Sequence, residues 1–124
     1  MLKRLVLATL FSLAAACGSP EAGDSCNPEN AATCGDNTTA LICEGGTLKA
    51  FNCRGSGGCV SNSSAASCDF SGSRVGEACP KQNESKALCD ISNPNVALKC
   101  TNSLWAAVTC KSCAVQAGSV VCTP

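Results

Sequence analysis

Apolar residues in this chain come in short runs, cut by glycine, asparagine and serine, and not in long periodic stretches. Residues 40–43 (Ala-Leu-Ile-Cys) and 47–52 (Thr-Leu-Lys-Ala-Phe-Asn) are strand-like. Glu44-Gly45-Gly46 between them is a glycine-bearing loop of hairpin length, which predicts a β-hairpin. The same pattern returns from Ala97, with Asn102-Ser103 at the turn. A further hairpin is predicted after each of these. Val60 and Ser67 flank Asn62-Ser63-Ser64, while Ala114-Val115 and Val120-Val121 flank Ala117-Gly118-Ser119. Outside the first 16 residues no window sustains a helical period. The expectation is a small, mainly β, loop-rich protein.

The recurrence is a duplication. Ala-Leu precedes a cysteine by one residue at Cys43 and at Cys100, and in both copies the next cysteine lies ten positions on. A basic residue follows it, Arg54 in one copy and Lys111 in the other. Aligned outward, the copies hold six cysteines each. Cys26, Cys34, Cys43, Cys53, Cys59 and Cys68 are spaced by 8, 9, 10, 6 and 9 residues. Cys79, Cys89, Cys100, Cys110, Cys113 and Cys122 are spaced by 10, 11, 10, 3 and 9. Gly23-Asp24-Ser25 and Gly76-Glu77-Ala78 introduce the two sets. The predicted organisation is a leader at 1–16, a tether at 17–24, module one at 25–68, a joint at 69–75 and module two at 76–124.

Composition explains why the cysteines are needed. Large apolar residues are few once the leader is set aside, and two small modules cannot bury enough area to offset chain entropy unaided. Twelve cysteines in two sets of six predict three disulfides per module, each contributing roughly 2–4 kcal/mol. Zinc is the competing use of such residues. However, the chain has no histidine, and only Cys110 and Cys113 have the close spacing of a zinc knuckle. Six cysteines can pair in 15 ways, and spacing does not choose among them.

The thirteenth cysteine is Cys17, immediately after the first segment. That segment has a charged start at Lys3 and Arg4, a largely apolar stretch over 5–13, and Ala14-Ala15-Ala16 as a small-residue cleavage site. It is too short to span a bilayer, which takes roughly 20 apolar residues. The run Leu13-Ala14-Ala15-Ala16-Cys17 resembles the lipobox of bacterial lipoproteins, with Ala14 where leucine is commonest. The resemblance implies that Cys17 becomes the first residue and is diacylated on sulfur. Two acyl chains anchor a protein stably where one does not. Gly18, not aspartate, follows the cysteine, and the resemblance therefore implies export to the outer membrane.

Charge and chemistry narrow the function classes. Nine basic and nine acidic residues balance in the whole chain, but Lys3 and Arg4 fall in the leader, leaving a slight acidic excess with no basic patch. That excludes an electrostatic footprint for nucleic acid. Without histidine a hydrolase triad is excluded, and the carboxylates are scattered through polar loops, Asp24 and Glu77 reading as turn-stabilising acids. No acid, base and nucleophile converge, so the chain is not expected to be an enzyme. Three residues are candidate ligand contacts: Arg54, Lys111 and Trp105. Arg54 opens a glycine-rich loop, Arg54-Gly55-Ser56-Gly57-Gly58, whose glycines predict too flexible a segment for tight protease inhibition. Trp105 aligns with Leu48, which favours a packing role over a sugar platform. The three Asn-x-Ser/Thr triplets, beginning at Asn37, Asn62 and Asn83, read as turn composition.

The chain beyond the leader resembles the cysteine-rich, tandem-module lipoproteins of myxobacteria and related groups, in its Ala-Leu-x-Cys, turn, hydrophobic, Cys-basic pattern at 40–54 and 97–111. It is also similar to peritrophin-type chitin-binding modules, which have six cysteines and a hairpin between the third and fourth, here Cys43 to Cys53 and Cys100 to Cys110. From these it departs at Ala40-Leu41 and Ala97-Leu98, where paired aromatics are expected, in its shorter fourth-to-fifth step, and in having no tyrosine. The expectation is a non-catalytic, lipid-anchored envelope protein displaying two modules for structural or protein-interaction roles, with no cofactor besides the lipid on Cys17. Glycan binding through Trp105 and protease inhibition through Arg54 or Lys111 are the alternatives.

Overall fold

The computed structural model describes residues 18–62 and 65–124. The expected lipidation at Cys17 therefore lies outside the described residues. In chain order the described strands are β1 (Ala32–Asp36), β2 (Thr39–Glu44), β3 (Thr47–Asn52), β4 (Cys59–Ser61), β5 (Ala66–Cys68), β6 (Ala87–Cys89), β7 (Val96–Thr101), β8 (Leu104–Thr109), β9 (Ser112–Gln116) and β10 (Ser119–Thr123). A single 3-10 turn, Lys81–Asn83, is the one helical element among the described residues. The protein is a small, disulfide-rich, mainly β fold.

Each half holds a three-stranded antiparallel sheet and a separate hairpin. The sheets are β1-β2-β3 and β6-β7-β8, and the hairpins are β4-β5 and β9-β10. The pattern of the chain predicts both hairpins of each half but not the extra strands β1 and β6. Ala32–Asp36 and Ala87–Cys89 are short and lack apolar alternation. They become strands because β2 and β7 offer an edge, with Thr33 opposite Leu41 and Leu88 opposite Leu98.

Three hairpins turn on two residues. Glu44 pairs with Thr47, Thr101 with Leu104, and Gln116 with Ser119. Glu44 is therefore the last residue of a strand and not part of the loop. Both turn residues lie at positive φ in every case: 62° and 82° at Gly45 and Gly46, 52° and 62° at Asn102 and Ser103, 48° and 77° at Ala117 and Gly118. Two left-handed residues in succession match the twist of the flanking strands, which is why glycine and asparagine mark these turns.

The Gly-acid-x-Cys segments fasten onto the outer edge of each sheet. The Gly23 N–H donates to the Leu48 carbonyl at 2.8 Å, and the Gly76 N–H to the Trp105 carbonyl at 2.8 Å. Return bonds run from Leu48 to Asp24 and from Trp105 to Glu77, each 2.8 Å. The edge strands β3 and β8 are thus partly covered, which limits their capacity to pair with other chains.

All twelve module cysteines form disulfides, in the same order in both halves. First pairs with third (Cys26–Cys43, Cys79–Cys100), second with fifth (Cys34–Cys59, Cys89–Cys113), and fourth with sixth (Cys53–Cys68, Cys110–Cys122). No bridge joins the two sets.

The cores differ. In the first half, Ala40, Ile42 and Phe51 cluster with Cys53 and Cys59. In the second, Leu98, Cys100 and Trp105 cluster with Cys79. Ala40 faces Phe51 across β2 and β3, whereas Cys100 faces Trp105 across β7 and β8. Side chains alternate between the faces of a strand. The equivalent hairpins therefore centre their main apolar clusters on opposite faces.

Phe70, in the joint, packs against both clusters, its ring centroid 6.1 Å from that of Trp105. Glu44, only 2% exposed, accepts a hydrogen bond from the Lys81 N–H at 2.6 Å, and the Lys49 ammonium lies 3.8 Å away. Arg54 forms an ion pair with Glu77. The two halves are held together by an aromatic contact, a buried carboxylate and a surface ion pair.

Candidate functional site

Repeated carboxylates hold loops in place before they offer any chemistry. Glu29 accepts from the Gly45 N–H at 2.9 Å, and Glu84 from the Asn102 N–H at 2.9 Å, so each ties down the first residue of a hairpin turn. Both acids stand five positions before the second cysteine of their set, a recurrence that marks them in the sequence. Asp24 accepts from the Glu21 N–H at 2.8 Å and Glu77 from the Arg74 N–H at 3.3 Å. These two act as turn-stabilising acids.

The glycine-rich loop after Arg54 is pinned, and that corrects the expectation of a flexible segment. The Gly57 N–H donates to the Asp69 carboxylate and the Gly55 N–H to the Asp69 carbonyl, each at 2.9 Å. A Cβ on Gly55 would sit 2.1 Å from the Asp69 carboxyl carbon, so glycine is required there by close approach. The Ser71 hydroxyl and N–H, with the Gly57 N–H, hold the Asp69 carboxyl below its ordinary value.

The three candidate contacts separate in space. Trp105 is 1% exposed and lies in the second core, so its indole presents no face to a ligand; it packs, the role its alignment with Leu48 favours, and drops out as a candidate contact. A tryptophan placed across from Cys100 on the covered face of β7 and β8 has nowhere else to go. Lys111 is exposed at the start of the last hairpin, its N–H bonded to the Thr123 carbonyl at 2.7 Å. Arg54 borders a cavity.

That cavity is a cleft of about 480 Å³ where the halves meet. Arg54 comes from the end of β3, Ser73 and Arg74 from the joint, and Asp90, Ile91 and Ser92 from the loop after β6. Its walls bring together both signs of charge. The Arg74 guanidinium has no ion-pair or hydrogen-bond partner among the described residues. Asp90, which lines the same cleft, accepts through Oδ1 from the Ser92 N–H at 2.8 Å and from its hydroxyl at 2.6 Å. These bonds, the hydroxyl foremost, hold the Asp90 carboxyl below its ordinary value and keep it ionised at neutral pH. Ser73 is 2% exposed and its hydroxyl is unpartnered. Ile91, 77% exposed, supplies an apolar lip. Such a site can orient a small polar molecule, and its size falls within the range of ligand pockets, roughly 300–1,000 Å³.

Comparison of the chain with known protein families, curated proteins and solved structures finds no match.

Proposed function

We propose that this is a non-catalytic, lipid-anchored envelope protein that presents two disulfide-stapled modules as one unit for recognition outside the cytoplasm. The observation that carries the reading is the pairing of the cysteines. Six bridges use twelve of the thirteen cysteines among themselves, so none of those twelve is left to pair with Cys17. A thirteenth cysteine, left over from those six pairs and directly after a leader-like run, supports reading Cys17 as a site of thioether lipidation. The bridges themselves favour an oxidising compartment over the cytosol.

The joint supports display over catalysis. Phe70, Glu44 and the Arg54–Glu77 pair hold the halves in one arrangement, as a presented surface requires. Glu29, Glu84, Asp24 and Asp69 spend their carboxylates on backbone N–H groups. Glycan binding would have to use a surface other than the indole of Trp105.

The test is the intact mass of the native protein from a membrane fraction, alkylated without reduction. The expected mass is that of residues 17–124 with acyl chains, less the hydrogens lost to six disulfides, and without alkyl groups. A retained leader or an alkylated cysteine set would refute the anchor or the oxidised fold respectively.

A further inference from the structure

The cleft between the halves has features a display surface does not need. Arg74 carries an unpartnered guanidinium, and Asp90 offers Oδ2 after giving Oδ1 to Ser92. Ser73, which also lines the cleft, keeps a buried hydroxyl without a hydrogen-bond partner. Ile91 stands almost fully open at the lip, where an isolated solvated position would favour a polar residue.

We propose that this cleft binds a free amino acid or short peptide with unblocked ends, its carboxylate on Arg74 and its ammonium on Asp90. The pairing follows from chemistry. A planar guanidinium takes a carboxylate through two parallel hydrogen bonds. An ionised carboxylate lining the same cleft rejects a simple anion and accepts an ammonium. Ile91 covers an apolar side chain beside the carboxylate. A volume of about 480 Å³ suits a ligand of one to a few residues and no larger chain. Arg54 is held by Glu77 and acts as a wall of positive potential, not a direct clamp. The site does not depend on the lipid at Cys17, whose presence is read separately by mass.

Titration calorimetry on the oxidised full chain in detergent tests this with three probes: the dipeptide Ala-Leu, its C-terminal amide, and its N-acetyl form. Ala-Leu is expected to bind, and the amide to bind at least about tenfold more weakly, because a charge-assisted pair is lost. Arg74→Gln should weaken Ala-Leu by a similar factor, with Arg74→Lys between it and the native protein. Asp90→Asn should abolish the preference for Ala-Leu over its acetylated form. Arg74 is exposed, so these variants should keep unreactive thiols and the native fluorescence of Trp105, which verifies the fold. No binding of Ala-Leu at millimolar concentration, equal binding of all three probes, or an unchanged Arg74→Gln would each overturn the proposal.

Discussion

The two modules share a covalent plan and differ in which side of it is packed. Both pair their cysteines first with third, second with fifth and fourth with sixth. Both fasten the Gly-acid-x-Cys segment to the sheet edge by equivalent hydrogen bonds, and both tie the first turn with a glutamate. Yet Ile42, 3% exposed in the first core, has the exposed Lys99 as its counterpart. Leu48, half-buried, has Trp105 as its own. A bridged framework of this size tolerates such a reversal because the disulfides and turns, not one apolar face, set the backbone. The final hairpins differ less, since β4 leaves Val60 63% exposed and β9 leaves Val115 66% exposed.

The hardest blow to this contrast is an exchange across the equivalent position. Ile42→Lys places an ammonium in the first core and is expected to cost more than about 4 kcal/mol, whereas Lys99→Ile stays within about 0.5 kcal/mol. Urea titration followed by amide NMR resolves each module, and equal effects would dismiss the opposite-face packing. Next in size, Trp105→Ala should cost about 3–5 kcal/mol. Leu48→Ala at the matching place should cost about 1 kcal/mol, because less area is buried. Amide exchange in module two, read against module one, checks the ratio.

Where the modules agree, substitutions should agree. Glu29→Ala and Glu84→Ala each remove a carboxylate from a turn N–H and should cost about 1 kcal/mol, the two values matching closely. Thermal melting of the pair suffices, and a large disparity would show that the turns are not equivalent. Smallest is the response to acid. Asp36, held down first by the Thr38 N–H, and Asp69, by Ser71, lie in or beside module one, and Asp90 in module two. Their folded carboxyls titrate below the ordinary 3.8, so their stabilisation is complete above that value and fades as pH falls through the lowered ones. Melting at pH 3 should therefore weaken module one slightly more than module two, while melting at pH 6 and 7 should coincide.

Much of this architecture could be read from residue order, and the unread parts share a cause. The turns at Gly45-Gly46 and Asn102-Ser103 announce themselves, because positive φ restricts which residues serve. Packing of Trp105 follows from its apolar counterpart. The strands at Ala32 and Ala87 do not announce themselves, since their order comes from a neighbouring edge and a disulfide distant in sequence. Nor does the pairing of the cysteines, which depends on how sheet and hairpin dock. The loop after Arg54 misleads for a related reason. Gly55 and Gly57 serve close approach to Asp69, a residue beyond the next two cysteines, and Gly58 to the Asn37 carbonyl; sequence shows the glycines without the neighbours. The cleft is assembled from positions near 54, 74 and 90, and only the docking of the halves joins them.

Opposite-face packing bears on how a tandem duplication avoids its own double. Two copies of one hairpin in a single chain invite exchange, in which each sheet captures the other's strands before the bridges close. Here the β7 strand in the first sheet would push Lys99 into the place of Ile42, and β3 in the second would leave the slot of Trp105 filled only by Leu48. Each swapped form is penalised by charge or by a void, so the copies have diverged into parts that no longer fit one another's sockets.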